Sequence, residues 1–249
     1  MEKWLCATEE KYHIDILFAC EAGSRAWGTD DVGSDYDIRF IFKHRDIKEY
    51  LSLERAKDVI DSDTPFDAHG WDIFKALELM KKSNPSIYEW TYSPIIYRDK
   101  RQFSVKLKRI VENDFSKYKL FQHYRQLMTR NLKEAAKKET MTEKKQKLLI
   151  QAVRAFLIAR QILAAEHLNG HFLYRRLFFI KGESDFVHFY RELAEEKQNG
   201  SLINGKYADI MLGRLEKEKE AMLAAAEKLN KGSSQVTFLN EWLWELIGI

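Results

Sequence analysis

The sequence predicts an α+β protein, with a mixed α/β head over residues 1–100 and an all-helical half over residues 101–249. Two observations carry this. Short apolar runs and all three prolines crowd into the first hundred residues, and from residue 101 the period lengthens into long, proline-free segments rich in Ala, Leu, Lys and Glu. Charge divides the chain in the same place. Residues 1–100 carry 14 Lys/Arg against 20 Asp/Glu, a net of −6, whereas residues 101–249 carry 27 against 18, a net of +9. A basic half is a candidate surface for phosphates, with a solvated lysine-rich face as the plainer alternative.

The runs IDILFAC (14–20), YDIRFIF (36–42), AKDVID (56–61) and SPIIY (93–97) are short, rich in Ile, Val and Phe, and bounded by Gly, Asp, Ser and Pro, which marks them as strands. At 72–82 the spacing becomes helical, with Ile73, Leu77 and Met80 on one side and Lys75, Glu78 and Lys82 away from it. Asn84-Pro85 ends that helix, because the residue before proline is pushed out of the α region. Three long helices are expected at 121–138, 142–168 and 206–232, the last closing on Gly232 as a C-terminal cap.

At 45% hydrophobic with 15 Phe, 11 Tyr and 6 Trp, the 249 residues have an ordinary globular composition. Cys6 and Cys20 have no His or Cys at metal spacing, the reading expected of a reduced intracellular chain. No basic leader with an apolar core opens the sequence, and no stretch approaches 18 apolar residues. The expectation is a cytoplasmic protein that does not enter a membrane.

The chemistry concentrates in ACEAGSRAWGTDDVGSDYDIRF, residues 19–40. On an extended strand, alternate residues share a face, so Asp35 and Asp37 point one way and Tyr36 the other. Side-by-side carboxylates repel unless a cation lies between them, and Mg²⁺, a hard ion that takes one or two carboxylates plus phosphate oxygens, suits that role. Gly23 lets backbone approach a phosphate closely, and Ser24 adds a hydroxyl and an N–H. Arg39 shares the face of Asp35 and Asp37, where a phosphate or carboxylate partner is expected. Gly23 and Gly28 have P-loop spacing, but Thr29 and Asp30 stand where the loop's lysine and Ser/Thr belong, so that reading fails.

An apolar strand, Gly23-Ser24, ten intervening residues and then Asp35-Tyr36-Asp37-Ile38 resembles the hG[GS]…Dh[DE]h signature of the DNA polymerase β superfamily of nucleotidyltransferases. The wording GSRAWG, SDYDIR, GWDIFKAL and NPSIYEW, in that order over about eighty residues, is similar to the RNA-repair-associated family of that superfamily. The resemblance implies a polymerase β-like sheet with flanking helices followed by a helical half. It also implies two-metal transfer of a nucleotide from an NTP to an acceptor, most simply an RNA such as a tRNA or a broken end. Two Mg²⁺ ions, or Mn²⁺ in their place, would be held by Asp35, Asp37 and a third carboxylate, for which Asp72 is the candidate; taken alone, Asp72 equally suits a helix N-cap. The triphosphate would lie against Gly23, Ser24 and Arg25, with Arg39 and Lys75 as further contacts, Lys75 being equally readable as a solvated helix lysine.

The match thins in the helical half. Arg160 fits an expected Arg, Arg154 stands where the family has Lys, and the accompanying tyrosines are missing. Arg130, Lys133 and Lys137 fall on one helix side at i, i+3 and i+7 and are the candidate RNA contacts, together with Arg154 and Arg160. The competing readings are the same chemistry on a protein or small-molecule acceptor, and a non-catalytic, antitoxin-like RNA- or protein-binding module.

Overall fold

The computed structural model describes residues 1–54, 56–168, 170, 184–232 and 236–249. They form α1 (Glu2–Tyr12), β1 (Ile14–Glu21), α2 (Gly23–Trp27), β2 (Asp37–His44), α3 (Lys48–Leu51), β3 (Val59–Ser62), β4 (Asp67–Asp72), α4 (Ile73–Lys81), α5 (Pro85–Thr91), β5 (Ile96–Asp99) and α6 (Phe103–Asp114). The helices α7 (Lys117–Ala136), α8 (Glu143–Ala164), α9 (Asp185–Gln198), α10 (Gly205–Ala226) and α11 (Val236–Ile247) follow. The α+β class expected from the sequence is the class observed.

The chain separates into two compact units, but not by one cut near residue 100. The first takes in residues 1–26 and 35–115 and recovers the C-terminal helix α11, while the second holds 27–34 and 116–232. In the first, the five strands lie in the order β3-β4-β2-β1-β5, with β2 and β4 parallel and the other neighbours antiparallel. On one face, Ile14, Ile16 and Ala19 of β1, Ile38, Phe40 and Phe42 of β2, Ile60 and Ala68 form a closed cluster with Leu5 of α1. A bulge between Ile16 and Phe18 lets β1 keep both Ile16 and Ala19 on this side, opposite Phe42 and Phe40. Each Phe so buried contributes about 1.5–3 kcal/mol. On the opposite face, Phe103 of α6 stacks near Phe18 and against Trp242 of α11.

Local signals explain how the chain turns around this sheet. Helix α4 buries Ile73, Ala76, Leu77 and Met80, a continuous stripe at helical spacing. Asn84-Pro85 ends α4 as expected and also begins α5: the Asn84 side chain accepts from the Ser86 and Ile87 N–H groups, and Pro85 occupies the first helical turn. In the second unit, α7 and α8 pack along each other, α7 burying Leu120, Phe121, Tyr124 and Met128 and α8 burying Leu149, Val153 and Phe156. Helix α10 ends at Ala226, six residues before the expected stop at Gly232.

Gly70 of β4 lies opposite Phe40, and a Cβ there would come 2.2 Å from the Phe40 ring, which has no room to retreat. Gly70→Ala is therefore expected to destabilise the protein by about 1–3 kcal/mol through overpacking, measured as a lowered midpoint in denaturant unfolding at unchanged slope.

Candidate active site

The site is built where β1 ends and β2 begins. The Ala22 N–H donates to the Asp37 carbonyl (2.8 Å), which draws the turn after β1 onto the start of β2. Gly23 follows with φ +60°, and a Cβ on it would fall 1.8 Å from Asp37 Oδ2. Its lack of a side chain is what allows the Gly-Ser turn and the carboxylate to share this space. Beneath them Glu21 is buried: its Oε1 accepts the Asp37 N–H (2.7 Å) and its Oε2 accepts the Tyr97 hydroxyl (2.5 Å). Burial raises the Glu21 pKa, against the lowering effect of these two hydrogen bonds.

Across the parallel pair, the register partner of Asp37 is Asp67. The two carboxylates face each other with the Arg39 guanidinium between them: Nη2 reaches Asp37 Oδ1 at 3.1 Å and Nη1 reaches Asp67 Oδ1 at 3.1 Å. Arg39 thus has the carboxylate partner anticipated for it. Asp35 is exposed just before β2, while Tyr36 turns to the other side and meets Phe66, the alternation expected of an extended segment. Burial raises the Asp37 pKa; Arg39 opposes this, and repulsion from Asp67 and Asp35 adds to it.

Among the described residues no three His, Cys, Asp or Glu side chains converge as a ready-made metal cage. Two facing carboxylates still fit Mg²⁺, which retains waters and completes its shell with substrate oxygens. The oxygen-only chemistry of Asp37 and Asp67 matches that ion, and their mutual repulsion is what a cation relieves.

Asp72 is not part of this cluster. In the β2–β4 register it pairs with Phe42, five residues beyond the Asp37–Asp67 pair, roughly 16 Å along an extended strand. Its buried carboxylate accepts the Phe74 N–H (2.9 Å) as the N-cap of α4 and the Tyr50 hydroxyl (2.7 Å), and burial raises its pKa. The helix-cap alternative is the geometry observed. Lys75, one turn further, pairs with Asp58 at 3.0 Å, away from the carboxylate pair. Arg25 lies with its guanidinium 4.0 Å over the Tyr36 ring, and Ser24 follows Gly23 at the start of α2. The residue missed by sequence reasoning is Asp67. Its signal was present as Phe66-Asp67-Ala68, an acid between apolar residues on a strand, but choosing between Asp67 and Asp72 requires the strand register.

The segment joining the two halves of the motif, residues 27–34, belongs to the helical unit and is tied down there. Trp27 packs under the Arg154 guanidinium at 4.1 Å, Gln198 donates to the Gly28 carbonyl (3.2 Å), and Lys197 donates to the Thr29 carbonyl (2.6 Å) and pairs with Asp31 (2.9 Å). Arg154 is buried, which removes it from the candidate RNA-binding surface. Arg130, Lys133 and Lys137 are exposed, with Lys137 paired to Glu134 in the neighbouring turn, and Arg160 is half-buried near Phe156.

A Gly-Ser turn seated on the first of two carboxylates, themselves on neighbouring strands, is the frame of a polymerase β-type nucleotidyltransferase. The chain belongs to RlaP, the RNA repair pathway DNA polymerase beta family, whose match covers residues 1–245. It is 30% identical over 239 residues to the uncharacterized protein YcgL of Bacillus subtilis, across 92% of this chain and 88% of that one. A solved nucleotidyltransferase-like protein from Exiguobacterium sibiricum covers 80% of this chain and 75% of its own at 11% identity and a TM-score of 0.30. No helix among the described residues is long and apolar enough to cross a membrane.

Asp72→Ala removes a buried cap and a tyrosine partner, so a loss of about 1–2 kcal/mol in unfolding free energy is expected, with divalent-cation affinity unchanged. Thermal denaturation combined with Mn²⁺ titration checks it; a cation-binding defect without a stability defect would return Asp72 to the site. Gly23→Ala is expected to do the reverse, displacing Asp37 and weakening Mn²⁺ binding at least about fivefold, because the added methyl and the +60° φ both force the turn away from the carboxylate.

Proposed function

We propose that this protein transfers a nucleoside monophosphate from an NTP to a hydroxyl group on RNA, using Asp37 and Asp67 as its principal metal-binding carboxylates with Asp35 beside them. The single observation that carries this reading is the facing of Asp37 and Asp67 across β2 and β4, with Gly23 pressed against Asp37. Two Mg²⁺ ions, or Mn²⁺, bound there would lower the pKa of the attacking hydroxyl and neutralise the departing pyrophosphate. The residues of the chain supply position and charge. Asp37 is fixed at its backbone by Glu21 and Ala22, so its carboxylate holds one direction, and Asp67 approaches from the adjoining strand. Gly23 and Ser24 leave backbone N–H and hydroxyl groups within the turn as phosphate contacts, and Arg39 and Arg25 add positive charge. In the reaction the acceptor oxygen forms a bond to the α-phosphorus, the bond from that phosphorus to the bridging oxygen breaks, the hydroxyl proton is released and pyrophosphate leaves. The work is positioning and electrostatics, and no covalent enzyme intermediate is needed.

The test is incubation with each α-labelled NTP, total cellular RNA and Mg²⁺. Label is expected in RNA, with Asp37→Asn and Asp67→Asn each lowering transfer at least about 100-fold and Asp72→Asn lowering it far less. Label on protein or on a small molecule instead would replace the acceptor, and no label with any NTP would leave a binding module as the better reading.

RNA affinity is assigned to the helical unit, whose Arg130, Lys133 and exposed neighbours carry its positive charge. Replacing Arg130, Lys133 and Lys137 together by Glu is expected to weaken RNA binding and to reduce the salt dependence of log K by about 2–3, one phosphate contact being worth about 0.7–0.9. Affinity measured at several salt concentrations decides it. Identical slopes in wild type and variant would reduce these side chains to a solvated face.

A further inference from the structure

Arg39 is held more tightly than a phosphate-seeking arginine needs to be. Its guanidinium donates to four acceptors: Asp37 Oδ1, Asp67 Oδ1, the Asp67 carbonyl and the Ile38 carbonyl, all at 3.0–3.1 Å. The side chain is only 19% exposed, and it takes one oxygen from each of the two carboxylates that face each other across the strands. A planar guanidinium matches such a pair of oxygens as no ammonium can. Asp35 adds a further negative charge beside the pair, so the guanidinium sits in an acidic neighbourhood.

We propose that Arg39 is a resident counter-ion of the carboxylate pair that a divalent cation must displace, and that its release couples cation binding to capture of the substrate's phosphates. This rests on the metal-site reading above and assigns a regulation to that site. The physical reason is competition. A divalent ion and the guanidinium draw on the same carboxylate oxygens, and the ion entering beside a positive charge is repelled by it in a half-buried, weakly screened setting. Held in place, Arg39 relieves the repulsion between Asp37 and Asp67 and lowers the affinity for a bare divalent ion. Once the ion holds the carboxylates, the fork is free to take phosphate oxygens, for which its geometry is equally suited. A divalent ion arriving with a triphosphate therefore binds more readily than the ion alone, because the incoming phosphates compensate the displaced guanidinium.

The experiment is Mn²⁺ titration, read by electron paramagnetic resonance, of wild type, Arg39→Gln, Arg39→Lys and Asp67→Asn, with and without a non-hydrolysable NTP analogue. Arg39→Gln is expected to bind Mn²⁺ about tenfold more tightly than wild type without nucleotide. It should also show a larger rise in melting temperature on adding Mn²⁺ and lose most of the nucleotide's enhancement of Mn²⁺ affinity. Arg39→Lys keeps the charge without the fork, so it should fall between the two; it also serves if the glutamine variant does not fold. Equal or weaker Mn²⁺ binding by Arg39→Gln or Arg39→Lys, with wild type binding and Asp67→Asn not, overturns the counter-ion proposal alone. Failure of wild type to bind Mn²⁺ at all overturns the metal-site reading and this proposal with it.

Discussion

Two like charges held face to face are the constraint around which the first unit is organised. The parallel pairing of β2 and β4 sets Asp37 beside Asp67, and the sheet leaves no freedom to separate them without breaking its ladder. Such a pair needs a cation, and a guanidinium already meets part of that need. Burial raises the Asp37 pKa, Arg39 lowers it, and repulsion from Asp67 and Asp35 adds to the rise.

The supports of this pair are unusually direct. Glu21, sealed in the sheet, accepts the backbone N–H of Asp37 and so fixes the carboxylate's origin without competing for its oxygens. Tyr97 satisfies the other Glu21 oxygen, which keeps a buried acid from being left without partners. Gly23 then sits where any side chain would strike Asp37. The Gly-Ser turn is thus fitted to the carboxylate that follows Gly23 by fourteen residues, and the spacing within the motif follows from that fit.

The middle of the motif answers to the helical unit. Trp27 and Gly28, which look like decoration on the Gly-Ser turn, are the residues that Arg154 and Gln198 hold, and Lys197 fastens Thr29 and Asp31 behind them. A guanidinium stacked on the Trp27 indole gives the buried basic residue at position 154 a structural use.

What the sequence by itself determined is the α+β class, the positions of β1, β2, β3, β5 and α4 to within a few residues, the Gly23-Ser24 turn and the shared face of Asp37 and Arg39. Periodicity and turn chemistry are local, so one chain suffices to read them. It did not show α1, whose buried side is only Leu5, Thr8 and Glu9, and Glu9 is buried because Arg98, Lys100 and the Ile16 N–H reach it from elsewhere in the chain. Nor did it show that α11 returns to the first unit, or that residues 27–34 leave it. Which carboxylate lies opposite Asp37 was decided by tertiary structure alone. Asp67 and Asp72 lie on one strand on opposite pleats, each preceded by an aromatic residue, and nothing local tells which of them lies opposite Asp37. Pairing with β2 places Asp67 against Asp37 and carries Asp72 five residues away, because strand register is a relation between distant segments and not a property of either one.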